Sequence, residues 1–187
     1  MALELESDGV FEAAGIPVLY CGVGKINAAV SLAGALHRYQ ERGEGVPQVV
    51  NFGTAGSRVH PTATLLACHE FVQRDMDVRA LGFPLGVTPY DEAPALLRFE
   101  PVFQALPSAV CGSGDSFAVG DVELPCTVVD MEAYALAKVC HLTGAPFACA
   151  KYITDGADGA APEDWKNNVH KAAELFLNLY RNLQRQP

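Results

Sequence analysis

The chain has 187 residues, half of them hydrophobic and 19% charged, a composition typical of a soluble globular domain with a sizeable core. Its formal net charge of −9, with no basic run, argues against a nucleic-acid binder, because such a protein needs a cationic face for phosphates. No window approaches the roughly 18 unbroken apolar residues of a membrane span, and the acidic start lacks the basic region of a signal peptide.

The six cysteines form neither a C-x-x-C pair nor a cluster with metal-ligand spacing. We therefore expect buried, reduced thiols in a cytoplasmic protein, with no metal and no cofactor.

Short apolar runs alternate with helical patterns along the chain. Strands are predicted over residues 16–21, 48–52, 64–71, 108–111, 126–129 and 147–153. Helices are predicted over residues 25–40, over 131–142 and from Pro162 onward. Residues 79–107 are rich in proline and should form loops over one end of the sheet. This order predicts one α/β domain over residues 1–187, with ligands at the carboxyl ends of the strands.

The turn at 22–25 (GVGK) resembles two nucleotide-binding motifs but satisfies neither. It lacks the spacing of a P-loop, and Asn27 stands where a dinucleotide fingerprint has its third glycine. A tight strand-to-helix turn is the simpler interpretation.

Acidic side chains follow two of the predicted strands. Asp130 and Glu132 lie where a strand becomes a helix, so they either cap that helix or contact a ligand. Asp155 ends an apolar run, where desolvation can make a carboxyl a proton donor near neutral pH, or where it can simply form a turn. Glu4 and Glu6, taken alone, are typical of a solvated terminus.

Taken in order, six segments resemble the nucleoside phosphorylase/nucleosidase family, and most closely its methylthioadenosine/S-adenosylhomocysteine nucleosidase branch. These segments are MALE (1–4), GVGKINAA (22–29), NFGTAGS (51–57), SGDSF (113–117), VVDMEAYALAKVC (128–140) and KYITDGAD (151–158). The resemblance implies a three-layer fold, a mixed β-sheet flanked by helices, in a homodimer or larger homo-oligomer. It also implies a small-molecule purine nucleoside as the substrate.

The resemblance also implies roles for individual residues. Asp155 matches the acid that protonates or hydrogen-bonds purine N7, and Glu4 matches the glutamate that orients the attacking water. Glu132 matches the carboxylate that binds the ribose hydroxyls, with Met131 packing on the sugar. The other implied contacts are Phe117 and Ala118 at the base, Thr54, Ala55 and Gly56 near the water or phosphate, and Leu81 and Phe83 at the 5′-substituent, partly across a dimer interface.

Hydrolysis and phosphorolysis differ in the need for arginines that hold phosphate. Arg58 follows the loop that ends at Ser57, but no arginine precedes Arg38. We therefore favour a nucleosidase, with a phosphorylase and a non-catalytic nucleoside-binding homologue as alternatives. Family members carry a full β-strand before the segment that matches MALE, and the third alternative rests on this departure.

Overall fold

A computed structural model of the protein describes residues 1–185. The helices are α1 (Glu4–Ser7), α2 (Val10–Ala13), α3 (Lys25–Glu41), α4 (Ala133–Thr143), α5 (Ala161–Asn168) and α6 (Ala173–Leu183), with a 3-10 turn at Arg79–Leu81. The strands are β1 (Val49–Gly56), β2 (Leu65–Gln73), β3 (Leu96–Arg98), β4 (Ser108–Ser113), β5 (Val128–Asp130) and β6 (Phe147–Asp155).

The strands form one mixed sheet in the order β3-β2-β4-β5-β1-β6. β1 runs parallel to β6 over its whole length, from the Val49–Phe147 pair to the Gly56–Asp155 pair. β6 also pairs with β2, so the sheet curves back on itself. Gly56 pairs with Val129 of β5 and with Asp155 of β6, so the carboxyl ends of β1, β5 and β6 meet where the acidic side chains lie.

Helices cover the sheet in two layers. On one side, α3 and α4 bury an apolar face that includes Leu32, Leu36 and Leu136. On the other side, α6 packs Phe176 on Phe52 of β1, with ring centroids 5.1 Å apart. Burial of each such side chain contributes roughly 1.5–3 kcal/mol. The predicted fold, a mixed sheet between helices in three layers, is confirmed.

The N-terminal part of the chain differs from the prediction. Residues 16–21 are not part of the sheet; the Cys21 amide donates to the Met1 carbonyl at 3.0 Å, and the Met1 amino group donates to the Leu19 carbonyl at 3.3 Å. Residues 16–21 thus bond to the first residues of the chain and not to a neighbouring strand, so no β-ladder forms there. Residues 4–13 instead form α1 and α2, separated by Asp8 (φ 46°) and Gly9 (φ 72°).

Two further differences lie near the sheet's edge and at the C-terminal side. The proline-rich region contains β3, which pairs antiparallel with β2 through Phe71 and Leu97. The single helix predicted from Pro162 is interrupted between α5 and α6, and there Asn168 Nδ2 donates to the Thr154 carbonyl at 2.7 Å. Within residues 1–185, no helix combines the length and apolar character needed to cross a bilayer.

Candidate active site

A cavity of about 330 Å³ opens at the carboxyl ends of β1, β5 and β6. Its volume falls in the range of small-molecule sites. The residues that line it are Ala2, Leu3, Glu6, Val23, Thr54, Ala55, Gly56, Arg74, Ser116, Phe117, Ala118, Val129, Asp130, Met131, Glu132, Asp155, Pro162, Trp165 and Lys166. Eight of these are residues for which the sequence predicted a contact or a catalytic role, so one site gathers side chains from distant parts of the chain.

Glu6 lies on α1 with its side chain buried against the end of β1. Its Oε1 accepts hydrogen bonds from the Thr54 amide at 2.7 Å and the Thr54 hydroxyl at 2.9 Å. Its Oε2 accepts from the amides of Ala2 and Leu3, at 2.9 and 3.2 Å. Four donors therefore fix the orientation of this carboxylate at the cavity wall.

Glu132 immediately precedes α4 and is also buried. Its Oε1 accepts a hydrogen bond from the Gly24 amide at 2.9 Å. Burial raises the pKa of Glu132 to about 7, and the nearby Asp130 carboxylate adds to the rise. Met131 lines the cavity beside it. A carboxylate next to an apolar side chain can bind sugar hydroxyls against a hydrophobic ring face.

Asp155 ends β6, lines the same cavity and is buried. Its Oδ2 accepts from the Thr154 hydroxyl at 2.8 Å, and its Oδ1 accepts from the Ala157 amide at 3.0 Å. Burial raises the pKa of Asp155 in spite of these two bonds. A Cβ atom on Gly56 would lie 2.5 Å from Oδ1, so the acid packs tightly against β1. This environment is suited to a proton donor.

A buried ion pair joins Asp130, which lines the cavity, to Lys151. Lys151 of β6 is almost fully buried, and its Nζ lies 2.8 Å from Asp130 Oδ2. Burial would raise the pKa of Asp130, but the Lys151 ammonium holds it below the usual range. A Cβ on Gly53 would lie 3.0 Å from Lys151 Nζ and 3.3 Å from Glu6 Oε1. Lys151 therefore brings positive charge close to Glu6 as well.

The rest of the wall is aromatic and apolar. Phe117, Ala118 and Trp165 of α5 all line the cavity. Trp165 Nε1 donates to the Thr54 hydroxyl oxygen at 3.2 Å. Flat apolar walls with a few polar groups are what a purine base requires.

Three predicted contacts do not reach the cavity. Glu4 is exposed on α1, so the glutamate that this turn of helix presents to the cavity is Glu6 and not Glu4. Leu81 is 71% exposed, and the Phe83 ring packs on Tyr90 at a centroid distance of 5.6 Å. Neither Leu81 nor Phe83 lines the cavity within one copy of the chain.

The cations near the cavity bear on which nucleophile it can hold. Arg58 pairs at 2.7 Å with Asp121, away from the cavity lining. The cationic side chains in the lining are Arg74 and Lys166. No group of three His, Cys, Asp or Glu side chains that could hold a metal ion occurs within residues 1–185.

The sequence analysis assigned no role in the site to four residues that the structure places in or next to it: Glu6, Arg74, Lys151 and Trp165. A signal existed for Lys151, because a lysine inside an apolar strand needs a buried acid as partner, and Asp130 was already a candidate. Glu6 and Glu4 carry the same charge two residues apart, and only the turn of α1 distinguishes them. Arg74 and Trp165 have no comparable signal in the sequence.

Comparison with known proteins identifies the same family by a family model and by individual relatives. The model of the phosphorylase superfamily matches residues 11–185. The 5′-methylthioadenosine/S-adenosylhomocysteine nucleosidase of Actinobacillus succinogenes is 29% identical, over 95% of this chain and 85% of that protein. The Staphylococcus haemolyticus nucleosidase of the same name is 27% identical, over 87% and 78%.

Solved structures share the fold. The native structure of futalosine hydrolase from Helicobacter pylori superposes with a TM-score of 0.82 at 22% identity, covering 97% of this chain and 94% of that one. The Helicobacter pylori nucleosidase D198N mutant with 5′-methylthioadenosine in its active site gives the same score, identity and coverage.

Proposed function

The chain belongs to the phosphorylase superfamily, and from that premise we propose that it hydrolyses the N-glycosidic bond of a purine nucleoside, releasing the free base and a ribose derivative. The observation that carries this proposal is the convergence of Glu6, Glu132 and Asp155 on one cavity, each in a different environment. Glu6 is held by four donated hydrogen bonds, Glu132 by one, and Asp155 lies where burial raises its pKa. These environments suit Glu6 as the general base, Glu132 as the ligand of the sugar and Asp155 as the general acid.

In this mechanism Asp155, in its protonated form, donates to N7 of the purine, and the bond between the sugar C1′ and N9 breaks with its electron pair going to the base. Water attacks C1′, and Glu6 accepts the proton that the water loses. The sugar develops oxocarbenium character, which the carboxylates of Glu6 and Glu132 stabilise electrostatically. Glu132 also accepts hydrogen bonds from the ribose hydroxyls, while Met131 packs on the sugar.

Water is a better match than phosphate as the nucleophile. The amide and hydroxyl of Thr54, which could otherwise hold an anion, both donate to Glu6. A phosphate at that place would face the Glu6 carboxylate, which repels it. Arg58, the arginine nearest in sequence to this loop, is paired with Asp121. Phosphorolysis therefore has less support, although Arg74 and Lys166 in the lining keep it worth testing.

For the substrate, we propose a purine nucleoside with an altered 5′-position. The curated relatives are named for 5′-methylthioadenosine and S-adenosylhomocysteine, and a structural neighbour is a futalosine hydrolase. All three compounds carry a substituent at that carbon. In this cavity the apolar side chains of Leu3 and Val23 are available to contact such a group.

We also propose that the chain works as a homodimer or larger homo-oligomer in the cytoplasm. Ile26 and Val30 lie four residues apart on α3 and are 76% and 68% exposed, and Leu81 is exposed as well. A second copy could cover these side chains and bring Leu81 or Phe83 to the cavity. All six cysteines are free thiols, which fits a reducing compartment. Light scattering at several concentrations tests the assembly.

The deciding experiment measures base release from methylthioadenosine, S-adenosylhomocysteine, adenosine, inosine and futalosine, with and without phosphate. We expect phosphate-independent release together with a reducing sugar. Release that requires phosphate and yields a sugar 1-phosphate would assign the chain to the phosphorylases. Binding without release would support the non-catalytic alternative.

A further inference from the structure

The segment 114–118, here called the base loop, brings Phe117 and Ala118 to the cavity. Phe117 is 44% exposed, and none of the aromatic pairs within residues 1–185 includes it. Stacking on another aromatic side chain therefore does not fix the ring. The backbone that precedes Phe117 helps to set where the ring lies.

A closed ring of contacts, here called the clamp, connects Asp115 of the base loop to Lys25 and Asp75. Asp75 Oδ1 accepts from Lys25 Nζ at 2.5 Å, and Asp75 Oδ2 accepts from the Asp115 amide at 2.8 Å. The Lys25 amide donates in turn to Asp115 Oδ1 at 2.8 Å. Partial burial alone would raise the pKa of Asp75, but Lys25 and the Asp115 amide hold it below its usual value, so Asp75 is ionised at neutral pH.

Arg74 reinforces the same stretch of backbone. Its Nη2 donates to the carbonyls of Gly114, at 3.3 Å, and of Ser116. A Cβ on Gly114 would lie 2.9 Å from the Arg74 Cζ, so the close approach of loop and guanidinium needs a glycine. Arg74 and Asp75 together hold three consecutive residues of the base loop, 114–116.

The clamp also connects the base loop to the proposed ribose ligand. The Gly24 amide donates to Glu132 Oε1 at 2.9 Å, and the next amide along the chain, that of Lys25, donates to Asp115. Two successive amides at the start of α3 therefore hold the ribose-side carboxylate and the base loop. Their fixed spacing sets the distance between the two halves of the nucleoside site. The turn at 22–25 therefore connects these two parts of the site, a role distinct from that of a nucleotide-binding motif.

We propose that Asp75 is a positioning residue that holds the base loop in its binding conformation before the nucleoside arrives. Asp75 is not in the cavity lining, so it acts through Asp115 and Lys25 and not on the substrate. Without Asp75, the base loop has to become ordered when the nucleoside binds, and the entropy lost in that ordering weakens binding. Affinity for the purine falls while the acid and base chemistry stays in place. This inference rests on the proposed function.

The test compares Asp75→Ala, Asp75→Asn and the control Asp77→Ala, which lies two residues away and pairs with exposed Arg79. For each variant, kcat and KM are measured for base release, and adenine is titrated while the fluorescence of Trp165, the single tryptophan, is followed. We expect Asp75→Ala to raise KM and the Kd of adenine about tenfold, with kcat within about threefold of wild type. Asp75→Asn keeps an acceptor for the Asp115 amide but loses the charge, so its effect should be smaller. Asp77→Ala should match wild type.

Each contrary result has a distinct meaning. Wild-type KM and Kd in Asp75→Ala, or a loss confined to kcat, overturns the positioning role alone and leaves the proposed function standing. If thermal melting shows that Asp75→Ala does not fold, Asp75→Asn decides the question by the same two constants. A wild-type protein that releases no base overturns the proposed function, and the adenine titration then tests the clamp independently.

Discussion

Glu6 and Thr54 are joined through a single oxygen: Glu6 Oε1 accepts both the Thr54 amide, at 2.7 Å, and the Thr54 hydroxyl, at 2.9 Å. This double contact fastens α1, near the start of the chain, to the carboxyl end of β1. It also satisfies the two donors with which the β1 end could bind an anion. The Glu6–Thr54 contact thus positions the candidate general base and disfavours phosphate binding at the same place.

The first prediction separates Glu6 from its neighbour on α1. Glu6→Gln should lower kcat by roughly 10²–10⁴-fold, since positioned acid–base groups contribute about that much. The amide replacing Oε2 would also face the Ala2 and Leu3 amides, which are donors, so some stability should be lost. Glu4→Gln is the matched control, because Glu4 is exposed, and its kinetics should equal wild type. A defect in Glu4→Gln with normal Glu6→Gln would reverse the assignment.

The second prediction concerns the acid. Asp155→Asn should reduce base release by roughly 10²–10⁴-fold, because an amide cannot protonate N7. The fold should survive, since the Thr154 hydroxyl can donate to the Ala55 carbonyl, 3.3 Å away, and accept from the new amide. Steady-state kinetics and thermal melting measure the two effects. Turnover at the wild-type rate would remove Asp155 from the mechanism.

The positions of the acidic residues show what sequence could and could not predict. Asp130, Glu132 and Asp155 follow apolar strands, and strand ends in an α/β sheet converge on ligands, so their meeting was predictable. Which glutamate of the N-terminal segment enters the cavity depends on how the short helix α1 is oriented on the sheet, and the spacing of the two glutamates in the sequence does not reveal that. The clamp depends on tertiary contacts between residues 25, 75 and 115, for which no local pattern exists.

The third prediction is a pH dependence of stability. The folded-state pKa of Glu132, about 7, lies above its ordinary value of 4.5. Stability from this group is therefore complete below pH 4.5 and is lost as pH rises through about 7. Glu132→Gln should remove that loss, which we expect to be on the order of 2 kcal/mol, or roughly 5 °C in Tm. Melting curves of both proteins at pH 5 and pH 8 check it: parallel shifts would contradict the role of burial.

The fourth prediction addresses the buried pair. Lys151→Met leaves the Asp130 carboxylate without its cation and should cost about 3–5 kcal/mol of unfolding free energy. Adding Asp130→Asn should recover part of that stability, because no charge then remains uncompensated. Urea unfolding of wild type, both single variants and the double variant forms the cycle. Additive losses would mean that the two side chains are energetically independent in spite of their 2.8 Å separation.

The fifth prediction uses the space around Asp155. A methyl group on Gly56 would lie 2.5 Å from Asp155 Oδ1 and 3.2 Å from the Ala157 Cβ, so Gly56→Ala must displace the carboxyl. Displacement of a catalytic group by about 1 Å can cost on the order of 10²-fold in rate, and we expect that loss in kcat. Gly45→Ala is the control, since nothing lies within 4 Å of its added methyl group. Because backbone strain is not involved at Gly56, Tm should fall less than activity does. A Gly56→Ala protein with wild-type kcat would show that catalysis tolerates movement of the Asp155 carboxyl. That result would contradict the role of Asp155 as a positioned proton donor.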